Sequence, residues 1–287
     1  MSAVVADVIA ARVPERSWRS EVRAVKIIFR RELIRFLGDR AQIMMALIQP
    51  LLFLFVLGSG LESLSAASTD GVDLKTFILP GVVCMAVLFT AIFRAASLVW
   101  DRELGFLREM MIAPVSRSSI IVGKCLGGAT IAASQGVIVL ALAGLVDVPY
   151  DPVLIVGVLG LLLLLAFTVT AFGLLVAVQI KQPQTFTSVM QMFVMPMFFV
   201  SGALYPVSGL PTWLEVLNRI NPLTYAVDPV RHLVFGHLDI SESARQTLDP
   251  GITWWGWHVP PVFEAGMVLL LGLAVIGVAI RQFSRTE

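Results

Sequence analysis

The chain has 287 residues, of which 57% are hydrophobic and 14% charged, with a mean hydropathy of +0.86. Soluble domains carry roughly 25% charged residues, so this composition excludes an ordinary soluble fold and points to a membrane protein. A net charge of +1 says nothing by itself about nucleic acid, which is not an expected partner, and leaves the distribution of charge as the informative quantity.

The first forty residues hold nine Lys or Arg. Their opening apolar stretch, MSAVVADVIAA, is interrupted by Asp7 and followed by a long charged segment, so no cleavable signal peptide is expected. Residues 17–39 form a candidate amphipathic helix. Val22, Val25, Phe29, Leu33 and Phe36 share one face, and Arg23, Lys26, Arg30 and Arg31 lie off it. Such a basic helix is expected flat on the inner leaflet.

A bilayer core about 30 Å thick needs roughly 20 apolar residues per helix, and six stretches qualify: 41–60, 77–100, 120–146, 153–180, 185–204 and 262–280. Cys84 and Cys125 lie in or beside these stretches, match neither a disulfide framework nor a CxxC metal pair, and read as packing residues. Arg94, near the inner end of the second stretch, is expected to snorkel to the interface, with a functional charge in the pathway as the alternative. Lys and Arg are retained in the cytoplasm. Sixteen of them fall in the N-terminal segment, the 101–124 connection, Lys181 and the C-terminal tail, against four in the alternate loops: Lys75, Arg219, Arg231 and Arg245. Both termini are therefore expected inside the cell.

Two connections carry more pattern than plain loops need. In DRELGFLREMMIAPVSRSSIIVGK, residues 101–124, Leu104, Leu107 and Met110 or Met111 recur at helical spacing while Arg102, Glu103, Arg108 and Glu109 stay outside the stripe. Pro114 stops this helix, and Ser116 or Ser118 caps the next. The second connection is 201–258. Asn221-Pro222 and Asp228-Pro229 each read as a helix cap followed by proline, and the short segments TWLEVL, LTYAV and VRHLVF are expected to dip into the membrane as a re-entrant hairpin under an external cap. Trp254, Trp255 and Trp257 mark an interfacial aromatic belt before the last stretch.

The chemistry that the spans lack narrows the function further. None has an Asp or Glu near its middle, Glu264 standing at the outer lip of the last, so coupling to protons or sodium is disfavoured. His232, His237 and His258 follow no zinc-protease spacing, which leaves no metal expected. Gly123-Lys124 lacks both the preceding glycine and the following Ser or Thr of a phosphate loop. A pump of this kind must take its energy from a partner.

The segments RELGFLREMMIAPVSRSSIIVGK and SGALYP…LPTWL…NPLTYAVDPVR, with the amphipathic helix before the first span, resemble the membrane subunits of ABC-2 type exporters, in particular the daunorubicin-exporter type of bacterial drug permease. The resemblance implies an all-α membrane protein: a cytoplasmic segment 1–40, a six-helix domain 41–280 with a coupling helix 101–118 and an external re-entrant region 201–258, and a cytoplasmic tail 281–287. It implies a plasma-membrane efflux subunit, a permease dimer (homo- or heterodimer) served by two cytoplasmic ATPase subunits, with ATP and Mg on those partners and no cofactor in this chain. Glu103, Leu104, Gly105, Leu107, Arg108, Met111, Pro114 and Arg117 are then the ATPase-coupling residues. Spans two and five line the pathway in that family, which assigns it Phe89, Phe93, Met190, Phe193, Met197 and Ser201. Methionine suits varied apolar ligands, and Pro196 is expected to kink span five. The cargo implied is a hydrophobic small molecule, drug or lipid-like; export of a lipid-linked polysaccharide and a non-transporting scaffold or sensor are the alternatives.

Overall fold

A computed structural model describes residues 17–60, 73–112, 115–146, 148, 150–207, 210–238, 240–241, 248–254 and 257–286. The opening apolar stretch, Pro114 and Trp255 lie outside the described residues. Helix α1, Trp18–Gly38, ends at Asp39, whose carboxylate accepts the backbone N–H of Gln42 at 3.0 Å and so caps α2, Arg40–Leu51. Pro50 has no N–H to give, and the chain beyond it widens into a π-helical turn, Leu52–Leu57, before closing at Gly58–Gly60.

Helices α3 (Leu74–Ala95) and α4 (Ser97–Glu103) make one continuous rod of 30 residues, and α5 (Phe106–Ile112) follows it. Then come α6 (Arg117–Leu140), a 3-10 turn (Ala143–Val146), α7 (Pro152–Gln179), α8 (Pro183–Val200), α9 (Thr212–Ile220), α10 (Thr224–Gly236) and α11 (Pro261–Thr286). Two-residue strands β1 (Thr253–Trp254) and β2 (Trp257–His258) pair antiparallel, Thr253 opposite His258.

Among the described residues, five helical stretches are long and apolar enough to cross a membrane: Arg40–Gly60, Leu74–Glu103, Arg117–Leu140, Pro152–Gln179 and Pro261–Arg285. The sixth expected span, 185–204, is the 18-residue α8; Gln184 and Gln191 dilute it, and it is not one of the five. The core lies where α3, α6 and α7 meet, because these three bury the most side chains.

Helix α1 departs from expectation. Its packed stripe is Ala24, Ile28, Glu32 and Phe36, with Val22 exposed and Val25, Phe29 and Leu33 only half-buried. It lies against α6 at Gly123 and Gly127, where a Cβ would stand 2.9 Å from the Cβ of Ile28 and of Glu32 respectively. Small residues four apart let two helix backbones approach closely, and that fit rotates the buried face away from the one apolarity alone selects.

Candidate functional site

At one end of the helix bundle, α1, α4 and α6 converge on a buried ionic cluster. Lys124, 1% exposed, stands eight positions into α6 and places its Nζ 2.9 Å from Glu32 Oε1, 2.6 Å from Asp101 Oδ2 and 3.0 Å from Ser97 Oγ. Arg31 pairs with Asp101 from the surface, and Arg35 reaches the other carboxylate oxygen at 3.2 Å. All three ammonium protons of Lys124 have an acceptor, the condition under which a buried charge is tolerated. Beside the cluster, Arg102 donates to the carbonyls of Ala177, Val178 and Ile180, at 3.1, 3.3 and 2.9 Å, closing the C-terminus of α7. Glu21 accepts from the backbone N–H and hydroxyl of Ser116 and from the Ser119 hydroxyl, binding the start of α1 to the start of α6. Ser116 itself caps α6, as expected, accepting the Ser119 N–H at 3.2 Å.

The expected helix 101–118 is not one helix. Gly105 has φ +82, a conformation that L side chains rarely adopt, and it divides α4 from α5. Leu104 therefore does not share a stripe with Leu107 and Met111. Leu107 is buried in the chain's own core, Met110 and Met111 pack against that core, and Met110 Sδ accepts from Arg31 at 3.4 Å. Leu104, Phe106 and Ile112 are the exposed apolar side chains here, Ile112 at 84%, and Glu103 and Arg108 are exposed beside them. Arg117 is turned elsewhere, donating to the carbonyl of Ser284 on α11 at 2.9 Å.

The expected pathway residues divide into groups. Phe89, Phe93 and Met190 line a small cleft of about 110 Å³ between α3 and α8. Phe89 and Phe93 also face a larger cleft of about 530 Å³, whose other wall is α2. Met197 lines a separate apolar cavity of about 280 Å³ formed with α7, α10 and α11. Phe193 is 53% exposed on the outer face of α8, and Ser201 is buried beyond the helix end, bonded to the carbonyl of Phe198. Met190, Met197 and Ser201 thus do not share one lining face. Arg94, expected at the interface, is only 9% exposed; its Nη2 donates to Gln42 Oε1 at 2.5 Å and its guanidinium lies over the ring of Phe36.

At the opposite end, α9 and α10 fold back under the hairpin. Asn221 Nδ2 donates to the carbonyl of Met197 at 2.6 Å and Asn218 Nδ2 to that of Val200 at 2.8 Å, satisfying orphan carbonyls in the last turn of α8. Tyr225 donates to the carbonyl of Arg219, and Trp254 Nε1 donates to the Tyr225 hydroxyl at 3.0 Å. Asp228-Pro229 does not start a helix: α10 runs through it without interruption. Asp228 lies buried near Arg231, Asp249, His232 and Glu264, and its carboxyl is pushed up to about 6, chiefly by burial.

These features define a polytopic helical membrane protein with a short helix held at one end by buried charge. The chain belongs to the ABC-2 type transporter family, whose family model matches residues 23–235. It is 26% identical over 216 residues to a protein of Cyanophora paradoxa named as a transport permease, ycf38, covering 74% of each chain. It is 26% identical over 218 residues to the inner membrane transport permease YadH of Escherichia coli strain K12, covering 76% of this chain and 85% of that one. A match of 28% over 172 residues, covering 56% of this chain and 44% of the other, relates it to the same organism's YbhR, named as a probable multidrug ABC transporter permease.

The site residues that sequence reasoning passed over are Glu32, Asp101 and Lys124. One signal was present for the first: Glu32 continues the stripe Ala24, Ile28 and Phe36 at intervals of four, a carboxylate on a face that is otherwise apolar.

Proposed function

We propose that this chain is the permease subunit of an ATP-driven exporter that moves a hydrophobic small molecule outward, powered by separate ATPase subunits that dock at α5. In this reading α8 is the sixth span, both termini are cytoplasmic, and two permease subunits serve two ATPases that carry the ATP and Mg. The observation that carries the proposal is the rooting of α5. The ionic cluster ties α4, which leads through Gly105 into α5, to α1 and α6, and α5 itself is seated by the buried Leu107 and the Arg31–Met110 contact, so a push on the exposed Leu104, Phe106 and Ile112 is transmitted to three helices together. A flexible loop could not do this. Relatives named as transport permeases, one of them a multidrug ABC permease, support transport as the activity and a drug-like cargo.

The test is co-purification of the partner ATPase with Ile112→Asp. Ile112 is exposed, so the variant is expected to insert and fold at normal yield. Burying a large apolar side chain contributes about 1.5–3 kcal/mol, so losing it at the interface weakens docking about tenfold to a hundredfold. Transport is expected to fall with it. Full ATPase recovery and full transport in Ile112→Asp would reject docking at α5.

A further inference from the structure

We propose that the cleft between α2 and α3 binds an amphiphile with one anionic head, the head on Arg94 and the apolar body along the cleft. This rests on the exporter reading above and names the class of cargo within it.

The cleft, about 530 Å³, falls within the size range of small-molecule sites. Two helices build its walls. From α2 come Gln42, Met45 and Gln49; from α3 come Phe89, Phe93 and Arg94. Its walls are mostly apolar, and its polar side chains are Asp39, Gln42, Gln49, Thr90 and Arg94.

Arg94 is a buried cation with no carboxylate in direct contact among the described residues, its guanidinium lying over the ring of Phe36. Among the described residues no carboxylate lies within ion-pairing distance of it; Glu32 and Asp39 act on it only from farther away, and Glu32 is already bound to Lys124. Of its five N–H donors, the structure gives one a hydrogen-bond acceptor, Gln42. Lys124, at the same end of the bundle, shows the contrast: the fold supplies that ammonium with two carboxylates. A buried charge is costly until it is paired, so Arg94 calls for a counter-charge from outside the chain. A second unmet group points the same way. Thr90, one helical turn before Arg94 and also facing the cleft, has an enclosed hydroxyl with no hydrogen-bond partner. A carboxylate or phosphate monoester head would occupy both, and Met45, Phe89 and Phe93 would hold the tail.

The experiment uses the full chain in phosphatidylcholine nanodiscs, with 11-(dansylamino)undecanoic acid and its uncharged methyl ester as probes. A hydrogen-bonded charge pair of this kind is expected to favour the acid about tenfold. Arg94→Gln is expected to reduce acid binding to the level of the ester and leave the ester unchanged, while Arg94→Lys keeps part of the preference. Ala46→Trp, which fills the cleft from the α2 wall without touching the charge, is expected to abolish both. Should Arg94→Gln fail to fold, the acid-to-ester ratio of the native chain and the effect of Ala46→Trp still decide. Equal affinity for acid and ester would overturn the proposal, as would an acid preference that survives Arg94→Gln. Binding of neither probe would overturn it, because the cleft would then be filled by a second subunit. Displacement of the acid by an equal amount of phosphatidylglycerol would overturn it too, identifying a resident bilayer lipid. Retention of the ATPase by Ile112→Asp would reject docking at α5 and leave this binding result standing, so the two failures are distinguishable.

Discussion

Lys124 and Arg94 are both buried cations, and the difference between them is the partner each is given. Lys124 bridges Glu32 and Asp101, whose positions are 92 and 23 residues away in the chain. Separations of that size explain why the cluster could not be read from the sequence, where Lys124 stands out only as half of an incomplete phosphate-loop pair and as part of the 101–124 connection. Removing one member of a buried ionic group leaves its partners uncompensated, at about 3–5 kcal/mol. Asp101 retains Arg31 and Arg35, which puts Lys124→Met near the lower end. The expected outcome is a clear drop in the melting temperature of the detergent-solubilised chain, largely restored when Glu32→Leu is combined with it. An unchanged melting temperature for Lys124→Met would mean that the cluster contributes nothing to anchoring α5.

Among the helices, those with long uninterrupted apolar runs were legible, and the errors fall where a single residue changes the course of the chain. Gly105 converts an apparent stripe from Leu104 to Met111 into two short helices, because its positive φ depends on backbone geometry that side-chain periodicity does not record. Gln191 takes α8 below the apolarity of its neighbours, and Pro229 looked like a helix start yet lies inside α10. Helix α10 also carries a testable electrostatic consequence. Asp228 is raised from near 3.8 to about 6, mainly by burial, with Arg231, His232 and a hydrogen bond from Glu264 opposing the shift and Asp249 reinforcing it. An acid whose folded-state value is raised is stable while protonated, so its contribution is fully present below about 3.8 and is lost as the pH rises through about 6. Asp228→Asn is therefore expected to raise the melting temperature at pH 8 and to leave it unchanged near pH 4. A variant that melts lower than the native chain at pH 8 would show instead that the Asp228 charge is needed by Arg231.

For the whole molecule, the deciding quantity is which end faces the cytoplasm. The Asp101 end gathers α1, the break at Gly105 and the close of α7, whose last carbonyls Arg102 holds; Lys181 follows directly and is exposed. The Asp228 end carries α9, whose first residue, Thr212, is exposed as well. The segments that lead to and from the first end hold sixteen of the 21 Lys and Arg residues in the sequence, and cations resist translocation, so that end is expected inside. The two native cysteines give a silent background, since Cys84 and Cys125 are both buried. Single cysteines at Lys181 and Thr212 can therefore be read directly. In intact cells an impermeant maleimide is expected to label Thr212→Cys and to spare Lys181→Cys until the membrane is opened. The reverse pattern would place α5 outside the cell, beyond the reach of any cytoplasmic ATPase, and would remove the physical basis for coupling through Leu104, Phe106 and Ile112.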